Sequence, residues 1–235
     1  MGEFKYVGSE LDLFANVTNW KSYWSDQIHP YLKGDVLEVG AGLGANTEFL
    51  AISGPGRSVC VEPDPGLTDQ LSKRLASMSS QRQYEVVCGT TETISGQFDT
   101  VVYIDVLEHI GDDRNEMKRA AALLRPGGRL IILSPAHQFL FTPFDAAIGH
   151  FRRYNKRMLR EITPPELKIE RLWYLDGVGM FASLGNRLLL RQSLPTREQL
   201  GFWDKCMIPV SRILVDRLTV YSAGKTVLGV WSKRG

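Results

Sequence analysis

Three glycines and two carboxylates mark the stretch of this sequence best suited to hold a ligand. In Glu38-Val39-Gly40-Ala41-Gly42-Leu43-Gly44, an apolar strand pattern runs into glycines at every second position. Glycine accepts left-handed backbone and carries no Cβ, so a ligand can lie against bare main chain at such a turn. A helical pattern over Asn46 to Ile52 follows, and its first amides and dipole would favour an anionic or carboxylate group there. A nicotinamide or flavin site can share this outline. Two details argue against a dinucleotide. Glu38 lies inside the strand, two residues before the first glycine, where it can hold a cationic amino group, and G-x-G-x-G departs from G-x-G-x-x-G. At the end of the next strand pattern stands Glu62, followed by Pro63; its two oxygens suit the two hydroxyls of a ribose, a feature a dinucleotide site would share.

Groups able to move a proton near neutral pH come next. His109 leads, because it follows a strand pattern in Val106-Leu107-Glu108-His109-Ile110, and the alternative is that it caps the following loop. His137, just past another strand, is second and His150 third. The segment Asp145-Ala146-Ala147-Ile148-Gly149-His150-Phe151-Arg152-Arg153-Tyr154 places two guanidiniums between aromatics, a pattern able to clamp a carboxylate or phosphate, or else to bond helix carbonyls and acidic loops. Ser134 lacks the G-x-S-x-G elbow of a hydrolase. The four histidines are scattered and no Cys or His pair has ligand spacing, so no metal is expected.

The elements that position these residues alternate. Strand patterns fall at Asp35 to Gly40, Ser58 to Val61, Tyr84 to Cys88, Phe98 to Ile104 and Arg129 to Ser134. Helical patterns fall between them, at Pro65 to Met78 and Asp113 to Leu124, after an N-terminal helical segment from Leu11 to Tyr31. Near-continuous apolar strands alternating with helices predict an α/β, doubly wound, mostly parallel sheet whose crevice lies beyond the carboxyl ends of its strands. Past Pro135 the rhythm changes: a helix near Lys156 to Ile162, strands at Leu167 to Leu175 and Lys225 to Trp231, and about fifty residues between them with helical patterning near Phe181–Leu190 and Trp203–Leu218.

Four segments, namely the glycine turn with Glu38, the Glu62 strand end, Phe98 to Ile110, and Leu124-Arg125-Pro126-Gly127-Gly128-Arg129-Leu130, occur in this order over about residues 30–135. Together they resemble class I S-adenosylmethionine-dependent methyltransferases of the small-molecule type, including quinone-biosynthesis methyltransferases. The resemblance implies a Rossmann-like, seven-stranded single domain over 1–235, with an N-terminal helical cap (1–34), a cofactor half (35–135) and an acceptor half (136–235) carrying a helical insertion at 177–224. It implies S-adenosylmethionine as cofactor and S-adenosylhomocysteine as product. Glu38, Gly40, Ala41, Gly42 and Gly44 would hold the methionine portion, Glu62 and Pro63 the ribose, and Asp105 and Val106 would border the methyl group. Thr90 and Thr91 stand where the family usually has an acidic residue near the adenine, so a hydroxyl or backbone group must serve. Asn19, Trp20 and Tyr23 lie where related enzymes fold a helix over the site, with packing of that helix as the alternative. The segment at 145–154 looks like a motif of a subgroup linked to polysaccharide or lipid modification, which would give Arg152, Arg153 and Tyr154 to the acceptor.

The expected reaction is methyl transfer to a small, sugar- or lipid-linked acceptor, on oxygen. The other reading is a non-catalytic module that docks to a partner or an anionic membrane. Its motive is charge: residues 150–235 hold 16 Lys and Arg against 7 Asp and Glu, while residues 1–149 hold 12 against 19. The net charge of +2 is low for a nucleic-acid binder, and Ile104-Asp105-Val106-Leu107 lacks the Asp/Asn-Pro-Pro-aromatic run used on planar amino groups. Nowhere do about 18 uncharged apolar residues run together, so no transmembrane helix is expected. No signal peptide is visible, and three cysteines fit a reducing, cytoplasmic setting.

Overall fold

The computed structural model describes residues 6, 10–52, 54–78, 82–185 and 196–235. Seven strands form one sheet: β1 (Val36–Val39), β2 (Arg57–Glu62), β3 (Gln83–Cys88), β4 (Phe98–Ile104), β5 (Leu124–Pro135), β6 (Leu167–Leu175) and β7 (Thr226–Lys233). Their order is β3-β2-β1-β4-β5-β7-β6. The first five are parallel, and β7 runs antiparallel to both β5 and β6. The strand order reverses between β1 and β4, so the carboxyl ends of those two strands open the crevice.

The apolar runs of the central strands exist because both sheet faces are covered. Along β5, Leu130 and Ile132 point to one face, with Leu37, Val101 and Tyr103, under α4 (Asp113–Ala122) and α6 (Lys156–Ile162). Ile131 and Leu133 point to the other, with Val102, Ile104, Trp173 and Val230, under α2 (Thr18–Ile28). A second helical layer on that face starts as α8 (Arg197–Phe202) and winds on through two π turns, Trp203–Met207 and Ser211–Val215, to Asp216–Leu218. Pro209 interrupts the regular ladder here, since it has no N–H to donate, and wider turns absorb the mismatch.

Three buried carboxylates knit this layer to the rest. Asp204 accepts the backbone N–H of Trp20 at 2.8 Å. Asp216 accepts the Tyr23 hydroxyl and the N–H groups of Asp176 and Gly177, each at 2.7 Å. Asp176 accepts the Trp203 indole N–H at 2.7 Å and the Ser211 hydroxyl at 2.8 Å. Residues 176–225 lie between β6 and β7; the helical pattern expected there falls partly on residues 186–195, outside the described residues.

Three local expectations need correction. Residues 46–52 form only a short 3-10 turn, Thr47–Leu50, because the chain must reach β2 at Arg57 through Gly54-Pro55-Gly56. The N-terminal helical segment breaks at 15–17 into α1 (Glu10–Phe14) and α2, then ends in a 3-10 turn at His29–Tyr31. Cys88, which the apolar run predicts to be packed, is exposed because β3 is an edge strand; Cys60, on β2, is buried.

Candidate functional site

The loop after β1 is fixed from below. Gly40 and Ala41 both donate to the Val61 carbonyl, at 2.8 and 3.2 Å, and Gly44 closes a turn onto Ala41 at 2.9 Å. Gly40, Gly42 and Gly44 have φ of +67°, +55° and +72°, the region that side chains resist. A Cβ on Gly40 would meet Val106 at 2.7 Å and one on Gly44 would meet Leu71 at 2.7 Å, whereas at Gly42 the nearest atom is Leu11 at 3.9 Å. A side chain at Gly42 would thus touch Leu11 without a clash. No α-helix follows, so the loop's own N–H groups, rather than a helix dipole, supply its polarity.

Two buried carboxylates flank the loop. Glu38 accepts the Thr47 hydroxyl at 2.7 Å and the Cys60 thiol at 3.6 Å. Burial pushes its carboxyl up to about 7 against those hydrogen bonds, with help from Glu62. Glu62 accepts Gly42 N–H on Oε2 at 2.9 Å and Asp64 N–H on Oε1 at 3.0 Å, and burial raises it too. Each oxygen keeps a lone pair for a hydroxyl. Two carboxylates raised by burial are what a cationic, hydroxyl-bearing ligand relieves. Pro63 lies just beyond, on the way into α3 (Pro65–Ser77).

At the mouth of β4, Asp105 takes a left-handed backbone (φ +54°) with its N–H on the Leu133 carbonyl. It opens into the crevice, yet crowding by the walls pushes its carboxyl up to about 6, opposed by His150, Lys225 and Arg153. Val106 packs on Gly40. Thr90 caps a 3-10 turn, accepting Glu92 N–H at 3.3 Å. Thr91 is buried and gives its hydroxyl to Glu116 Oε2 at 3.0 Å, while Tyr103 takes Oε1 at 2.7 Å.

The fold brings two of the three histidines together. The rings of His109 and His150 meet edge to face at 4.5 Å. Burial, then His150, lowers His109 to about 4. His150 Nδ1 lies 2.9 Å from Asp145 Oδ1, and its Nε2 lies 3.9 Å from Glu108 Oε1. His137 is elsewhere, at φ +67°, its ring 5.0 Å from that of Phe139 and 4.6 Å from that of Tyr174.

Arg152 and Arg153 turn inward. Arg152 bonds Asp113 and the carbonyls of Ile110 and Gly111. Arg153 forks onto Asp145, and the buried Tyr154 hydroxyl bonds Asp113 at 2.8 Å. Trp20 and Tyr23 pack against the helical layer beyond α8, where the rings of Trp20 and Trp203 lie 5.7 Å apart and Tyr23 bonds Asp216. Two groups gain weight beyond the sequence reading. Glu108 is fully buried, its Oε1 without a hydrogen-bond partner among the described residues, and nothing in its local pattern signals that. Asp145 anchors His150 and Arg153, and its spacing three residues after Thr142, a capping box, was the available signal. Adjacent Glu108 and His109 and the distant His150 place one donor atom each within 4.8 Å of the others.

A family model described as a methyltransferase domain matches residues 37–130. The chain is 35% identical over 101 residues to a ubiquinone biosynthesis O-methyltransferase of Idiomarina loihiensis, covering 40% of each. It is 29% identical over 139 residues to a tRNA U34 carboxymethyltransferase of Syntrophotalea carbinolica, covering 56% of this chain and 41% of that one. The chain thus spans about two fifths of the length of these curated relatives. A phosphoethanolamine N-methyltransferase 2 of Haemonchus contortus, solved with phosphomonomethylethanolamine and S-adenosylhomocysteine, shares the fold with a TM-score of 0.63 at 16% identity, over 96% of this chain and 56% of that one. None of the described helices is long and apolar enough to cross a membrane.

Proposed function

We propose that this chain, a class I S-adenosylmethionine-dependent methyltransferase, transfers methyl to an oxygen of a small, sugar- or lipid-linked acceptor. The observation that carries it is the pair of buried carboxylates, Glu38 and Glu62, set on either side of a loop whose three glycines are all left-handed. S-adenosylmethionine supplies an electrophilic methyl on a sulfonium, with a thioether as leaving group. Glu38 holds the cationic amino group, Glu62 the ribose hydroxyls, and the backbone of Gly40, Ala41, Gly42 and Gly44 the methionine tail. Pro63 borders the ribose, Thr90 offers a hydroxyl near the adenine, and Asp105 and Val106 line the floor beside the methyl group. Alignment and exclusion of water are the main work, worth about 7–11 kcal/mol for well-oriented reactants. An oxygen acceptor also needs its proton removed, and the cluster of Glu108, His109 and His150 is the proton-handling group nearest Asp105 in the chain. Similarity to an O-methyltransferase of quinone biosynthesis supports oxygen as the accepting atom.

The test is incubation with labelled S-adenosylmethionine and acceptor extracts, following S-adenosylhomocysteine. Turnover with a phenolic or hydroxyl-bearing fraction is expected; tight cofactor binding with no product from any fraction would overturn the reading in favour of a docking module. One observation favours a peripheral membrane contact alongside catalysis: Phe202, Ile213, Leu214, Leu218 and Val220 are exposed on the α8 layer, with Lys205 and Arg217 exposed among them. A reducing, cytoplasmic setting fits the free thiols of Cys60, Cys88 and Cys206.

A further inference from the structure

We infer that Glu108, His109 and His150 form a binding site for one divalent first-row metal ion, of the zinc type, at the wall of the crevice. One carboxylate and two imidazoles within 4.8 Å of one another are a three-ligand set that leaves positions open for an acceptor. The geometry beyond that donor set is what distinguishes this cluster from an ordinary ion pair.

Glu108 has no exposed surface. Its Oε2 accepts the Ser134 hydroxyl at 2.9 Å, but Oε1, which faces His150 Nε2 at 3.9 Å, has no hydrogen-bond partner among the described residues. A buried carboxylate oxygen left bare is costly unless a cation or proton meets it. One imidazole has a nitrogen already tied: Asp145 takes His150 Nδ1 at 2.9 Å. An imidazole that gives its N–H to a carboxylate or carbonyl presents the other nitrogen as a lone pair in a fixed direction, the arrangement that supports metal-bound histidines. The surrounding charge also favours a cation. Asp105, Glu108 and Asp145 gather here; of the basic side chains that act on Asp105, Arg153 is spent on both oxygens of Asp145 and Lys225 lies 3.6 Å from Asp176.

The ligands come from the turn after β4 and from the loop at 145–154, so the sequence separates them by some forty residues. Resting on the function proposed above, the ion would draw an acceptor oxygen beside Asp105 and Val106, and the histidines would then act as ligands rather than as a free base. The site itself needs no such reading and is tested without any acceptor.

The experiment uses the full, tag-free chain, stripped with a chelator and titrated with Zn²⁺ against a chromogenic competitor, then with Co²⁺ followed by its visible absorption. Binding of one equivalent, with a Co²⁺ spectrum of low coordination number, is expected. Glu108→Gln and His150→Gln should each weaken binding by at least tenfold, and Asp145→Asn, which frees the His150 ring, by roughly 10–100-fold. S-adenosylhomocysteine affinity and the far-ultraviolet spectrum report whether each variant is folded, independently of the metal. The inference is overturned if the native chain takes up no stoichiometric ion, or if folded His150→Gln binds as the native chain does; a proton shared between Glu108 and His150 would then fill the gap.

Discussion

Arg153 meets Asp145 through two parallel bonds, Nε to Oδ1 at 2.8 Å and Nη2 to Oδ2 at 2.9 Å, with the carboxylate 1% exposed. Asp145 also accepts the Thr142 N–H and hydroxyl, each at 2.8 Å, and lies against His150. Asp145→Ala leaves the guanidinium without its partner in a mostly buried place, a change that costs about 3–5 kcal/mol. Urea unfolding should show a loss of that order, and a loss below about 1 kcal/mol would contradict the role given to this pair. Despite burial, which opposes it, bonding to His150 and Arg153 holds the carboxyl below the usual range. Its stabilisation is therefore complete above the unfolded value near about 4 and is lost as pH falls through the folded value. The acid limb of the stability profile should flatten in Asp145→Ala.

Glu38 carries the opposite sign. Its folded value is raised to about 7, chiefly by burial. The unliganded protein should lose stability as pH rises from about 4.5 towards 7, because the unfolded chain ionises first. Cofactor binding should move the other way, since an ionised Glu38 holds the ammonium and a protonated one does not. S-adenosylmethionine affinity is expected to rise roughly tenfold between pH 6 and 8, with proton release visible by calorimetry in buffers of different ionisation enthalpy. Glu38→Gln should bind weakly and without pH dependence over that range. A native profile as flat as the variant's would remove Glu38 from the ammonium.

The glycine loop separates strain from occlusion. Gly42→Val forces a branched side chain to φ +55°, a cost of about 1–2 kcal/mol, and sets its methyl groups over the loop where the methionine tail is proposed to lie. Gly127 offers the matching control: it lies at the start of β5 with φ +72° and, among the described residues, nothing within 4 Å of a Cβ, so Gly127→Ala carries similar strain. Both variants should unfold at lower urea, but only Gly42→Val should abolish S-adenosylhomocysteine binding by calorimetry. Retained affinity in folded Gly42→Val would place the methionine tail elsewhere.

What could be read from the sequence follows from how local each signal is. Strands such as Val101 to Ile104 and Leu130 to Leu133 are legible because burial on both faces demands unbroken apolar runs. The glycines are legible because left-handed backbone at 40, 42 and 44 leaves little choice of residue. The helix after the loop is misread because the pattern at 46–52 does not reveal how few residues remain before β2. Arg152 and Arg153 look like a clamp for an outside anion because their partners, Asp113 and Asp145, are chosen by the fold. The meeting of His109 with His150 is hidden for the same reason, and so is the bare oxygen of Glu108, which depends on what three separate segments fail to provide.

The outer face of the α8 layer gives the last prediction. Ile213 and Leu218 are 68% and 74% exposed, one turn and a half apart, and Val220 beside them is 80% exposed. Side chains this large seldom cluster in water without an apolar neighbour, and Lys205 and Arg217 stand among them. Each cation near an anionic bilayer contributes about 1 kcal/mol, and the apolar side chains add burial at the acyl boundary. The protein should therefore co-sediment with vesicles rich in an anionic lipid and far less with neutral ones. Ile213→Glu with Leu218→Glu should abolish that binding without lowering the unfolding midpoint, because neither side chain is packed in the native chain. Equal sedimentation of native and doubly substituted protein would exclude this face as the contact, and the methyl-transfer reading, which stands on Glu38 in β1 and Glu62 at the end of β2, would be untouched by that result.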